Sequence, residues 1–302
     1  MPRIIDNPSL ESCSLPEAIE ALAQLQFDPR DTAKCAEAAM WLRQLTNNRT
    51  FLADMLIDQL TGRATGSGAD ELQSGYGPQA MVLSPARGNM FLRANIWPAR
   101  QDLCFRTSGA DSFVYGVAHD HNFSFLTSGY SGPGYRSDYF EYDYDAVAGY
   151  AGEAAGVRFI ERSALSEGKM MLYRAHVDVH SQLPPEALSV SLNVMHVDPA
   201  QCWYDQYGFD LDSGTVSRVL SPNATEAFLR VAVAAGTKEA LDYAEWTGRH
   251  HPSERLRFAS FEARAAHLAP PAQDALWREG EISGSRMVAA EAQRKRAQLA
   301  EA

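Results

Sequence analysis

Cysteine is scarce in this chain. Cys13, Cys35, Cys104 and Cys202 stand far apart, and fit neither a disulfide framework nor a cysteine metal site. Such usage predicts a reducing, cytoplasmic setting. Basic charge is also short. There are 27 Lys and Arg against 38 Asp and Glu, a formal net charge of -11, which argues against a nucleic-acid-binding face. The locally basic stretch "EAQRKRAQLAEA" reads as the end of a solvated helix. No apolar run approaches the ~20 residues needed to span a bilayer, so no membrane association is expected. The N-terminal "MPRIIDNPSLESCSL" lacks the basic-then-apolar pattern of an export signal.

What is present is a chain of 302 residues, 45% hydrophobic, enough for one large domain or two modest ones. Its texture changes twice. Residues 1–64 read as helical. "SLPE" offers Ser14 as N-cap, Glu17 three residues on and Pro16 in the first turn, the pattern of a capping box. Apolar residues then recur at helical spacing, with a break at "FDPRD". A glycine-rich linker follows at 65–85. Residues 86–220 carry short aromatic and β-branched runs, among them "NMFLRANIW", "FSFLTSGY", "KMMLYRAHV" and "EALSVSLNVMHV", separated by Gly, Pro and Ser. Many short strands at close spacing predict a sandwich or barrel. From 221 to 302 the helical period returns. The expected fold is mainly β, a barrel with helical N- and C-terminal flanks that could cap it or build a homodimer.

The stretch "VAHDHNFSFL" places His119 and His121 one residue apart among strand formers. Alternate strand residues share a face, so both imidazoles point the same way, and imidazole is the commonest metal ligand. A third histidine from another strand would complete a facial set. "LSEGKMMLYRAHVDVHSQ" offers both His176 and His180, which share parity. His250, His251 and His267 lie in helical regions and read as surface residues. Asp120 and Asp178 read as solvent or turn residues.

"GVAHDHNFSFL" and "EGKMMLYRAHVDVHSQLPPEALSVSLNVM" together resemble the two-part metal signature of the cupin superfamily, whose fold is a double-sheet jelly roll. Counting from Gly168, the resemblance gives His180 as the third ligand and leaves His176 as a pocket-wall candidate. The glutamate that usually follows the first pair is replaced by Phe125 and Leu126. A three-histidine cupin without it is similar to the cysteine dioxygenase branch, the thiol dioxygenases. Ser191 matches the first residue of that branch's relay strand, whereas Asn193 and Met195 stand where histidine and tyrosine are expected. Leu126 occupies the place of the crosslinking cysteine. Arg87 and Arg93 are candidates for gripping a substrate carboxylate, and Tyr115, Tyr173 and Asn193 for lining the pocket.

The resemblance implies ferrous iron, dioxygen and a small thiol, acid or amino-acid-derived substrate. The ligands alone also suit zinc or nickel, and so a non-oxidative isomerase or hydrolase, or a non-catalytic binding module. A 2-oxoglutarate oxygenase fits less well, because the first motif is His-x-His and no Arg or Lys occurs between His180 and Arg218.

Overall fold

A computed structural model describes residues 1–61, 79–221 and 224–301. The glycine-rich residues 62–78 lie outside it. Residues 80–82, expected within the linker, form a strand. The chain divides into two compact units, one of residues 1–144 with 156–201 and one of residues 145–155 with 202–302.

The first unit begins with a short strand, β1 (Arg3–Ile4), and three helices, α1 (Leu15–Leu25), α2 (Thr32–Asn47) and α3 (Phe51–Leu60). The Ser14 capping box is formed: its hydroxyl accepts from the Glu17 amide while Glu17 reaches back to the Ser14 amide. Asp31 caps α2 by accepting from the Ala33 and Lys34 amides. The remaining elements are β2 (Ala80–Val82), β3 (Met90–Trp97), α4 (Leu103–Ser108), β4 (Ala118–His119), β5 (Phe125–Ser131), β6 (Arg136–Glu141), β7 (Arg158–Ala164), β8 (Met170–Tyr173), β9 (Asp178–Leu183) and β10 (Ser189–His196). One sheet runs β1-β8-β5-β10-β3-β2, antiparallel throughout. A second runs β4-β9-β6-β7, also antiparallel.

The first sheet is buried on both faces. Leu92, Ala94, Leu126, Met170, Leu172, Leu192 and Val194 point outward and pack under Ala18, Leu22, Ala39, Leu42 and Leu45 of the N-terminal helices. The alternate residues point to the second sheet. Phe125, Met171, Tyr173 and Met195 join Tyr139 of β6 in a separate core. Between these apolar residues the inner face carries Arg93, Asn95, Thr127, Ser191 and Asn193, each at most 8% exposed. In β10, Ser189, Ser191 and Asn193 therefore face the interior with Met195, while Val190, Leu192 and Val194 face the helices. That arrangement is the reverse of a sheet with one solvated face.

The second unit holds a hairpin of β11 (Tyr207–Asp210) and β12 (Thr215–Val219), followed by α5 (Ala224–Ala234), α6 (Lys238–His250), α7 (Glu254–Ala265), α8 (Pro270–Glu281) and α9 (Arg286–Glu301). Thr237 and Ser253 cap α6 and α7. Two cores, one around Phe261 and Trp277 and one around Leu229 and Val233, hold the helices together. His251, expected at the surface, is buried: its Nδ1 accepts from the Ser253 amide and its ring lies against Trp203.

The expectation of a mainly β chain is corrected. Helical residues outnumber strand residues among those described, because the flanks are long while the strands are only two to eight residues each. No described helix is long and apolar enough to cross a membrane.

The outer face of the first sheet should carry much of the unit's stability. Leu192→Ala, at a fully buried site between sheet and helices, is expected to cost about 2–5 kcal/mol, read as a lower urea midpoint at unchanged slope. A loss under ~1 kcal/mol would mean the helices do not rest on this strand.

Candidate metal centre

His119, His121 and His180 converge. Each offers one nitrogen, these atoms lie within 4.8 Å of one another, and all three residues are buried. Local structure explains the meeting. His119 on β4 pairs directly with His180 on β9, which puts the two rings side by side with centroids 4.6 Å apart. His121 follows two residues after His119, just past the end of β4, and its ring also turns into the cluster. Its Nε2 lies 3.1 Å from His180 Nε2.

The hydrogen bonds fix which nitrogens face inward. His119 Nδ1 donates to the Val117 carbonyl, 2.8 Å away, which leaves Nε2 with its lone pair. His180 Nδ1 lies 3.2 Å from the Tyr173 hydroxyl, and that hydroxyl lies 3.2 Å from Tyr139 Oη. Burial lowers the pKa of His119, partly offset by its bond to the Val117 carbonyl. Burial pushes His121 and His180 further down, reinforced at His121 by His119, His180 and the Arg93 guanidinium. Burial thus favours the neutral form of all three rings.

Three neutral imidazoles fit a divalent cation. Two nitrogens bound at about 2.1 Å and at right angles to one ion sit about 3.0 Å apart, close to the 3.1 Å between His121 and His180. Without a cation, the crowding has a cost. His180 Nε2 has one in-plane lone pair, yet both His121 Nε2 and Gln182 Nε2 lie within 3.2 Å of it. A single acceptor cannot satisfy two N–H donors in good geometry.

The other candidate residues are spread over several places. Arg93 is buried on the inner face of the first sheet, across from Asn193, and its charge acts on His121. Asn193 Nδ2 donates to the Arg93 carbonyl and to Asn95 Oδ1, each at 3.3 Å. Tyr173 touches the cluster through His180. Its phenol is held neutral by burial, which raises its pKa well above the ordinary value. Ser191 is occupied structurally, accepting a 3.0 Å bond from Trp97 Nε1. Tyr115 donates to the Pro98 carbonyl inside a knot of Trp97, Phe105 and Phe113. Arg87 is exposed in a turn beside Glu20. His176 stands outside the cluster: its backbone is left-handed, at φ +63°, and its ring lies against Tyr144 and 3.9 Å from Asp120.

Asp120 and Asp178, expected at solvent or in turns, are both fully buried. Tyr142 donates to Asp120 at 2.5 Å, and Arg174 holds Asp178 through its backbone amide and guanidinium. Three further buried residues escape sequence reasoning. Gln182 shares the His180 face by alternation, a signal available in "HSQ". Tyr139 belongs to an aromatic hairpin whose bland reading is packing. Thr127 shares a cross-strand row with Asn193 and Arg93.

No family model matches the chain, and no curated protein matches it. Among solved structures, one reported for DMSP lyases is 14% identical over 43% of this chain and 52% of its own, with a TM-score of 0.26. A salicylate 1,2-dioxygenase from Pseudaminobacter salicylatoxidans is 13% identical over 48% of this chain and 33% of its own, with a TM-score of 0.25. An RmlC-like cupin protein from Ralstonia eutropha is 11% identical over 55% of this chain and 82% of its own, also at 0.25. The chain thus spans about half the length of the first and a third of the second. Likenesses this weak carry nothing about activity.

Neutral buried imidazoles predict an acid-labile apo-protein. Their folded pKa values lie below the unfolded value of about 6.5, so the unfolded chain takes up protons that the folded chain refuses. Above that pH they add no dependence. Below it, stability should fall by up to about 1.4 kcal/mol per pH unit for each ring still neutral. His119→Phe should flatten the slope of ΔG against pH between 6.5 and 5, and an equal slope in both proteins would contradict the assignment.

Proposed function

We propose that this chain is a mononuclear metal-dependent oxygenase of the three-histidine cupin type, with His119, His121 and His180 as ligands for ferrous iron. The observation that carries the reading is the meeting of three buried imidazole nitrogens, two of them 3.1 Å apart. The motif resemblance favours iron over zinc or nickel. Bound there, the ion would supply a site for dioxygen and for substrate.

The chain's own groups then have separable tasks. Neutral ligands leave the charge of a divalent ion uncancelled, which favours an anionic substrate. Arg93, buried on the facing sheet, supplies a second positive charge for a carboxylate. Asn193 and Asn95 keep the floor beside it in place by bonding to each other and to the Arg93 carbonyl. Phe123, Phe125 and Tyr173 pack around His121 and exclude water. The Val117 carbonyl and the Tyr173 hydroxyl hold two of the three rings in orientation. The substrate class is accordingly a small carboxylic acid, amino-acid derivative or thiol acid.

Metal analysis by mass spectrometry on protein expressed without added metal, followed by oxygen-uptake screening with small acids, tests this reading. Iron should be present, and His121→Ala should lose it while keeping the fold. Turnover without oxygen, or a zinc-loaded protein inert to oxygen, would refute it. Arg93→Met is expected to cost about 2 kcal/mol or more in substrate binding, read as a rise in KM of about 30-fold or more at retained metal content.

A further inference from the structure

Gln182 lies beside the histidine cluster and has an unusual hydrogen-bond balance. It is 4% exposed and sits two residues after His180 on β9, so both side chains face the same way. Its main chain is pinned, since the Gly116 amide donates to the Gln182 carbonyl at 2.9 Å and Tyr115 bridges to the same residue. Its amide nitrogen lies 3.2 Å from His180 Nε2. Its amide oxygen, Oε1, is buried with no hydrogen-bond partner among the described residues. A buried amide oxygen without a partner costs about 1–3 kcal/mol, so the position calls for a reason.

The geometry points to Gln182 as a fourth, oxygen-donating ligand of the same cation, in place of the carboxylate that the first motif lacks. The inference rests on the three-histidine reading and deepens it. The two ends of a side-chain amide exchange places by a half-turn about χ3. After that turn Oε1 stands where the nitrogen stood, 3.2 Å from His180 Nε2. This is nearly the separation of His121 Nε2 from the same atom, 3.1 Å, and close to the ~3.0 Å expected between adjacent donors on one ion. The turn also removes the surplus N–H from the His180 lone pair and aims the oxygen at the cation, while the amide nitrogen takes the place that Oε1 held. Phe125 and Leu126 fill the places where the motif would supply a carboxylate from β5. Gln182 reaches the cluster from β9 instead, and brings no charge.

A neutral amide is a weaker ligand than a carboxylate. It leaves the ion with its full double charge, and an incoming anion can displace it. Gln182 thereby ties the strength of cation binding to the preference for anionic substrates: the same substitution should raise one and lower the other.

The test uses the full chain with Co²⁺ as probe, followed by competition with a chromophoric chelator and by visible absorption. Gln182→Glu puts an anionic oxygen at the same reach and should bind Co²⁺ about tenfold tighter or more. Gln182→Met, similar in shape but lacking oxygen, should bind about tenfold weaker, in the range of losses seen when groups around a metal are removed, with shifted visible bands. If the Met variant does not fold, the Glu variant decides alone. Affinities and spectra within twofold of the parent overturn the role of Gln182 and leave the three histidines standing. No Co²⁺ uptake by the parent, or unchanged uptake in His121→Ala, overturns the three-histidine reading and this inference with it.

Discussion

The burial of three uncharged imidazoles around one point is the constraint on which the site depends. Each ring gives up solvent and keeps a lone pair directed at its neighbours. In water that lone pair would be hydrated. Inside the unit it must find a proton or a cation. His119 settles one nitrogen on the Val117 carbonyl, and His180 settles one on Tyr173. His121 Nε2 and Gln182 Nε2 both crowd His180 Nε2, at 3.1 and 3.2 Å. Folding therefore gathers three imidazoles at one buried point. The low pKa values, driven mainly by desolvation, are the same fact seen from the proton's side.

That cluster stands against a polar wall on the opposite sheet. The first sheet is sealed on its outer face by helices α1–α3, so its outward residues do the work of a core. Its inner residues are then free to be polar, and Arg93, Asn95, Thr127 and Asn193 occupy buried positions that a structural core would give to aliphatic groups. The electropositive arginine and the electron-rich histidines face one interior. An anion with a donor atom is the kind of molecule that satisfies both.

Much of this was legible in the sequence, and the reasons are specific. The His-x-His spacing marks His119 and His121 as a pair, although only His119 lies in β4 and His121 just follows it. The capping box at Ser14 is a local motif and formed as read. Parity alone does not separate His176 from His180; the pairing of β4 with β9 brings His180 into the cluster, while the backbone at His176 is left-handed and its ring lies elsewhere. Asp178 misled because a charged residue near a turn usually finds water; here Arg174, four residues away, accompanies it into the interior. Ser191 and Tyr115 are polar residues in strand or turn positions whose partners, Trp97 and Pro98, lie distant in sequence. Nothing local reveals such partners. The number of strands is a poor guide to the share of helix here, because the strands are short and the flanking helices long.

The two-sided burial of the first sheet has an evolutionary corollary. Strands β3, β5 and β10 act as a partition between an aliphatic layer and an interior that mixes aromatic and polar groups, and their alternation assigns each residue to one side. Insertion or deletion of a single residue there would transpose the contents of both at once. Lineages descended from this chain can therefore explore new chemistry by point replacement along the interior side or by remodelling the turns at strand ends. Frameshifting slips inside the partition are closed to them.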